Sequence, residues 1–155
     1  MAEPAGADRP CLVALTSDVM LSVRIEEAAR AAGHQTAVAA SVAQFDQALS
    51  AGEARLVLLD LADPAFSIEE TMRRVQRCAQ PPVLLAFFPH VRKDLETRAR
   101  AAGCGLIMPR SRFLLDLPEA LRLGFAIPSR AQRAAELSVT PREAGDEAQA
   151  SEAPP

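Results

Sequence analysis

Apolar residues come in five short runs, at positions 11–16, 34–39, 55–60, 83–88 and 105–108. The run Arg55-Leu-Val-Leu-Leu-Asp60 is the anchor of the pattern. It shows no polar alternation, so it predicts a central parallel strand buried on both faces, with Asp60 at its carboxyl end. The run at 83–88 reads the same way, 34–39 is weaker and suits a sheet edge, and 105–108 is short. Between the runs the apolar period is helical. Ser17 or Asp18 caps a helix carrying Leu21, Ile25, Ala28 and Ala32, and Gly33 ends it. Ser41 opens a second helix with Val42, Phe45 and Leu49 on one face. Ser67 and Glu70 predict a capping box for a third, with Ile68, Met72 and Val75 inward and Arg73, Arg74 and Arg77 outward. Val91, Leu95, Ala99 and Ala102 mark a fourth, closed by Gly103. After Pro109, the stretch Asp116-Leu-Pro118 predicts a short turn and then a main helix from near Pro118 to near Leu123.

Strands alternating with helices predict an α/β fold: a flavodoxin-like (βα)5 three-layer sandwich with parallel strand order 2-1-3-4-5. The folded domain is expected over 11–126, after a flexible leader at 1–10. Residues 127–155 are rich in Ala, Glu, Pro, Ser and Arg with few large apolar groups. That composition does not offset the entropy of ordering and predicts a disordered tail.

Composition narrows the function classes. The chain has 155 residues, 49% of them hydrophobic, so a substantial core is expected. A net charge of −3 lacks the basic excess of a nucleic-acid binder. No apolar run reaches membrane-span length, and the Pro/Gly-rich acidic start lacks a secretory pattern, so no membrane association and a cytoplasmic location are expected. Cys11, Cys78 and Cys104 have no metal-ligand or redox spacing and read as free thiols in or beside apolar segments. No Gly-rich phosphate loop, nucleophile elbow or sequence-adjacent Cys/His pair appears, so an enzyme is not expected.

The strand ends gather polar residues: Ser17, Asp18, Asp60, Asp63, His90, Arg110 and Ser111. One reading makes Asp18, Asp63, His90, Arg110 and Ser111 a small-ligand or anion edge, or pairs Asp60 with Arg110 to fix a loop. The other makes Asp18, Asp63 and Ser111 turn and cap residues, with His90 flanking the fourth helix. His90 and Asp60 alone do not define a metal site.

Val-Leu-Leu-Asp60-Leu followed by Pro64, Pro82-Val83-Leu84-Leu85, and Ala101-Ala102-Gly103-Cys104 leading to Pro109 resemble a response-regulator receiver domain of the chemotaxis-Y type over roughly residues 10–125. The resemblance implies that Asp60 occupies the phosphoacceptor position. It also implies helpers: an acidic pair after strand one that holds Mg²⁺, a hydroxyl ending strand four, and a Lys ending strand five. Here those positions align with Leu15 and Thr16, with Phe87, and with Met108. A magnesium ion needs several oxygen ligands, and phosphoryl transfer needs the ion's charge. The resemblance therefore implies a degenerate pseudo-receiver with no cofactor, Mg²⁺ being relevant only if Asp60 is functional. It would act as a phosphorylation-independent interaction module. The alternatives are a phosphoacceptor using Asp60 in a phosphorelay and a small-ligand sensor at the sheet edge. The implied partner is a protein (a kinase, another regulator or a second copy forming a homodimer). In receivers the face built from helix four, strand five and helix five docks partners; here it would present Arg92, Arg100, Arg112 and Leu114, with Lys93 and Arg98 beside them. The plain reading of those charges is a solvated helix face with Asp94 and Glu96 interspersed.

Overall fold

The computed structural model describes residues 10–127. The leader and tail expected at 1–10 and 127–155 lie outside the described residues, apart from Pro10 and Ile127.

Five parallel strands form one sheet: β1 Leu12–Leu15, β2 Thr36–Ala39, β3 Leu56–Asp60, β4 Val83–Phe88 and β5 Leu106–Pro109. Their order is β2-β1-β3-β4-β5, as the alternating pattern predicts. β1 and β3 are buried along their whole length, which is why their sequences show no alternation. β2 at the edge is only half-buried over most of its length. Six helices cover the two faces: α1 Val19–Ala31, α2 Val42–Ser50, α3 Ile68–Gln76, α4 Lys93–Ala101, α5 Arg110–Leu115 and α6 Leu117–Ala126.

The period of two along each strand sorts the core into two layers. Val57 and Leu59 of β3 pack with Phe45 of α2, Val75 of α3 and Leu95 of α4. Leu56 and Leu58 pack with Ile25 of α1, Phe113 of α5 and Leu121 of α6. Gly33 and Gly103 follow α1 and α4 with φ of 86° and 96°, the left-handed conformation that lets a helix stop and the chain turn into the next strand.

Three local expectations are corrected. Ser67 does accept the Glu70 N–H, at 3.0 Å. The return half of the capping box is absent, because the Glu70 carboxylate is held by Arg73 and Arg74. Val91 does not belong to the buried stripe of α4: it is 73% exposed and precedes the helix. The predicted turn after Pro109 is a six-residue helix, α5, and α6 runs on to Ala126. Asp116 divides them, its Oδ1 accepting the Glu119 N–H at 3.2 Å and starting a new helix.

Candidate functional site at the carboxyl edge of the sheet

Parallel strands deliver their carboxyl ends to one edge, and register sets who stands beside whom. Asp60 pairs in register with Phe87, and Phe87 with Met108. These are the three positions that the receiver resemblance assigns to acceptor, hydroxyl and lysine. Phe87 and Met108 are buried, and Phe87 stacks on Phe113 of α5 with centroids 4.2 Å apart and planes at 8°. An aromatic stack occupies the place where a hydroxyl would stand.

Asp60 is 5% exposed. Its Oδ1 accepts the Ala62 N–H at 3.1 Å, and its Oδ2 accepts Nη1 of Arg110 at 3.0 Å. The same guanidinium donates through Nη2 to Oδ2 of Asp18 at 3.0 Å. Arg110 is the first residue of α5, so the β5–α5 junction swings its side chain back across the sheet edge. One planar cation thus bridges the end of β3 to the loop after β1. Burial pushes the Asp60 carboxyl above its ordinary range, and the Ala62 N–H and Arg110 oppose that only in part.

Asp18 does two jobs. Its Oδ1 caps α1 by accepting the Leu21 N–H at 3.1 Å, and that bond, with help from Arg110, holds its carboxyl low. Its own N–H donates to Oγ1 of buried Thr16 at 3.1 Å. Asp63 closes the β3–α3 turn. Its Oδ1 accepts the Ala65 N–H at 2.9 Å, and its Oδ2 accepts the N–H and hydroxyl of Ser17 at 2.6 and 2.8 Å. Burial acts to raise the Asp63 carboxyl, yet these three donors together hold it low. Asp18 thus both caps a helix and pairs with Arg110, Asp60 pairs with Arg110, and Asp63 serves only its turn and Ser17.

These residues do not fit a magnesium ion. The inward oxygens of Asp60 and Asp18 already face a cation, and both oxygens of Asp63 serve Ser17 and Ala65. No group of three or more His, Cys, Asp or Glu suited to a metal occurs among the described residues.

Two residues expected at this edge lie beside it with exposed side chains. His90 is exposed in the turn before α4, and Ser111 is exposed on α5; neither side chain makes a hydrogen bond among the described residues. The anticipated partner face is also altered. Arg92 pairs with Asp94, Arg100 with Glu96, and Arg98 reaches Glu69 on α3, so much of the basic character is neutralised locally. Leu114 is half-buried against the core, while its neighbour Leu115 is 85% exposed. Arg112 remains exposed. Sequence reading did not anticipate the Ser17–Asp63 clamp across 46 positions, nor Arg24 donating to the Leu114 carbonyl at 3.2 Å. No local pattern marks either.

No family profile and no curated protein matches the chain. Solved structures do. A response regulator from Thermotoga maritima is 18% identical, with a TM-score of 0.65 over 76% of this chain and 98% of that one. A response regulator receiver domain protein from Clostridium thermocellum is 14% identical, with a TM-score of 0.62 over 74% and 93%. A response regulator receiver protein from Burkholderia phymatum is 22% identical, with a TM-score of 0.55 over 64% and 82%. Among the described residues no helix is long and apolar enough to cross a membrane. With its strand order, the six helices among the described residues and Asp60 at the end of the central strand, the chain has the fold of a response-regulator receiver domain.

Proposed function

We propose that this chain is a phosphorylation-independent signalling module on a receiver fold, with its acceptor position closed from within by Arg110. The observation that carries the reading is the guanidinium held at 3.0 Å from both Asp60 and Asp18. It places one positive charge between two carboxylates at the sheet edge, where a metal ion would otherwise stand. Phe87 and Met108 support the same reading, since neither side chain hydrogen-bonds or pairs with a phosphoryl group. Binding a protein partner, not catalysis, is the work left to the domain. The partner is a kinase, another regulator or a second copy, and exposed Leu115 at the end of α5 is the apolar contact offered to it.

Thermal unfolding with and without Mg²⁺ plus beryllofluoride tests the proposal, comparing the native chain with Asp60→Asn and Arg110→Ala. Ligand that binds only the folded state raises the melting temperature. The expected result is no shift in the native chain. A rise in the native chain that disappears in Asp60→Asn would establish instead a phosphoacceptor in a phosphorelay. A rise confined to Arg110→Ala would identify the guanidinium as the barrier.

A further inference from the structure

The opposite edge of the sheet, where the strands begin, holds a group that the receiver reading does not use. Cys11 immediately precedes β1 and His34 lies just before β2. Their strands run in register from Leu12 beside Thr36, and the N–H groups of Cys11 and Leu12 both donate to the Gln35 carbonyl at 3.2 Å. This places Sγ of Cys11 3.5 Å from Nδ1 of His34, across 23 positions of sequence. The imidazole is packed on one face. The backbone N–H of His34 donates to the Ala29 carbonyl at 2.8 Å and fixes the main chain there, while the ring itself stacks on Phe125 of α6 with centroids 4.0 Å apart. The Arg55 guanidinium lies over the same Phe125 ring at 5.3 Å. His34 also lines a cavity of 160 Å³ with Glu26, Arg30, Gln35 and Thr36. There the Thr36 hydroxyl oxygen is buried with no hydrogen-bond partner among the described residues.

We propose that Cys11 is the oxidation site of this chain, a thiol that reacts with hydroperoxides with His34 as its proton acceptor. A thiol needs to lose its proton to act as a nucleophile, and an adjacent, oriented imidazole takes it. The sulfur attacks one peroxide oxygen; an S–O bond forms as the O–O bond breaks. The thiol proton passes to Nδ1 of His34 and on to the departing hydroxide or alkoxide, which leaves as water or an alcohol. Cys11 becomes a sulfenic acid, oxidised by two electrons, and the peroxide is reduced. Glu26 and Arg30 of α1 line the cavity beside the imidazole, and Arg55 before β3 lies over the Phe125 ring on which it stacks. The other cysteines lack this arrangement. Cys104 is buried, lies against the Leu84 and Leu106 carbonyls, and is pushed up to about 11 by that burial. Cys78 has the Arg74 carbonyl for a neighbour, with no imidazole.

The test treats the full chain with substoichiometric hydrogen peroxide in the presence of dimedone and maps the trapped sulfenic acid by peptide mass spectrometry. Labelling of Cys11 at least about 10-fold above Cys78, with Cys104 unlabelled, is expected. His34→Gln should lower Cys11 labelling by about 10-fold or more. His34→Phe, which keeps a ring to stack on Phe125, should do the same. Cys104 serves as the internal fold control, since a variant that exposes it has unfolded and the other substitution is then read. Equal or faster labelling of Cys78 in the native chain overturns the proposal by itself. So does Cys11 labelling that is unchanged in a folded His34 variant, because exposure alone would then explain the reactivity.

Discussion

Arg110 shows how much one side chain decides at this edge. Asp60 is nearly without solvent contact, and the guanidinium beside it opposes the burial that raises its carboxyl. Arg110→Ala would leave that carboxylate uncompensated. Breaking a buried pair commonly costs about 3–5 kcal/mol. Arg110 retains 31% of its side-chain exposure, so water screens part of the interaction and about 1–3 kcal/mol is expected at neutral pH. Adding Asp60→Asn in the Arg110→Ala background should recover much of the loss, since it removes the stranded charge. Urea unfolding of the two single variants and the double variant measures this coupling, and simple additivity would show that the pair is energetically idle. The pairing of Asp60 with Arg110 was legible in sequence as one option beside a ligand edge and a plain turn-and-cap reading. Choosing between them was not possible there, because the direction of Arg110 depends on α5 starting directly after Pro109. The sequence before Pro118 suggests a turn there, whereas a short helix stands in its place with Phe113 buried and stacked on Phe87.

The elements follow from the same kind of contact. β1, β3 and β4 were legible because strands buried on both faces need unbroken apolar runs, and α1, α2 and α3 because their caps are local. What local pattern does not carry is contact between elements, such as Phe87 of β4 stacked on Phe113 of α5. Phe87→Thr would restore a hydroxyl at the end of β4. It would also remove a fully buried ring and its stack, so a loss of about 2–4 kcal/mol in urea unfolding is expected. A neutral result would mean that α5 docks without this ring. Gly124 makes the complementary point on α6. A Cβ there would lie 2.7 Å and 2.8 Å from the two Cδ atoms of Leu56 on β3. Alanine is the better helix former by about 1 kcal/mol, but Leu56 is wholly buried and has little room to yield. Gly124→Ala is therefore expected to destabilise by about 1–2 kcal/mol, with Leu56→Val in the same chain recovering part of the loss. A stabilised Gly124→Ala chain would show that α6 shifts freely over the sheet.

At the scale of the whole molecule the charges divide by sign of effect. Asp18 is held low by the Leu21 N–H, and Asp63 by the Ser17 and Ala65 donors against its burial. Glu69, Glu70, Asp94 and Glu119 are held low by Arg98, Arg73, Arg92 and Arg122. A carboxylate lowered by folding contributes stability that is present above its unfolded value, 3.8 for Asp and 4.5 for Glu, and is lost as pH falls through its folded value. Asp60 is raised, so its contribution runs the other way: present below 3.8 and lost as pH rises through its folded value. The native chain and Asp60→Asn should thus lose stability in parallel on acidification below the ordinary carboxylate range. Above it their curves should separate, the native chain alone paying for an ionised buried group. Most of the arginine pairs are exposed, so added salt should flatten the acid limb while leaving the Asp60 difference nearly intact. Urea unfolding of both chains from pH 3 to 7, at low and high salt, reads each effect separately. Curves that stay parallel over the whole range would mean that Arg110 fully neutralises the burial of Asp60.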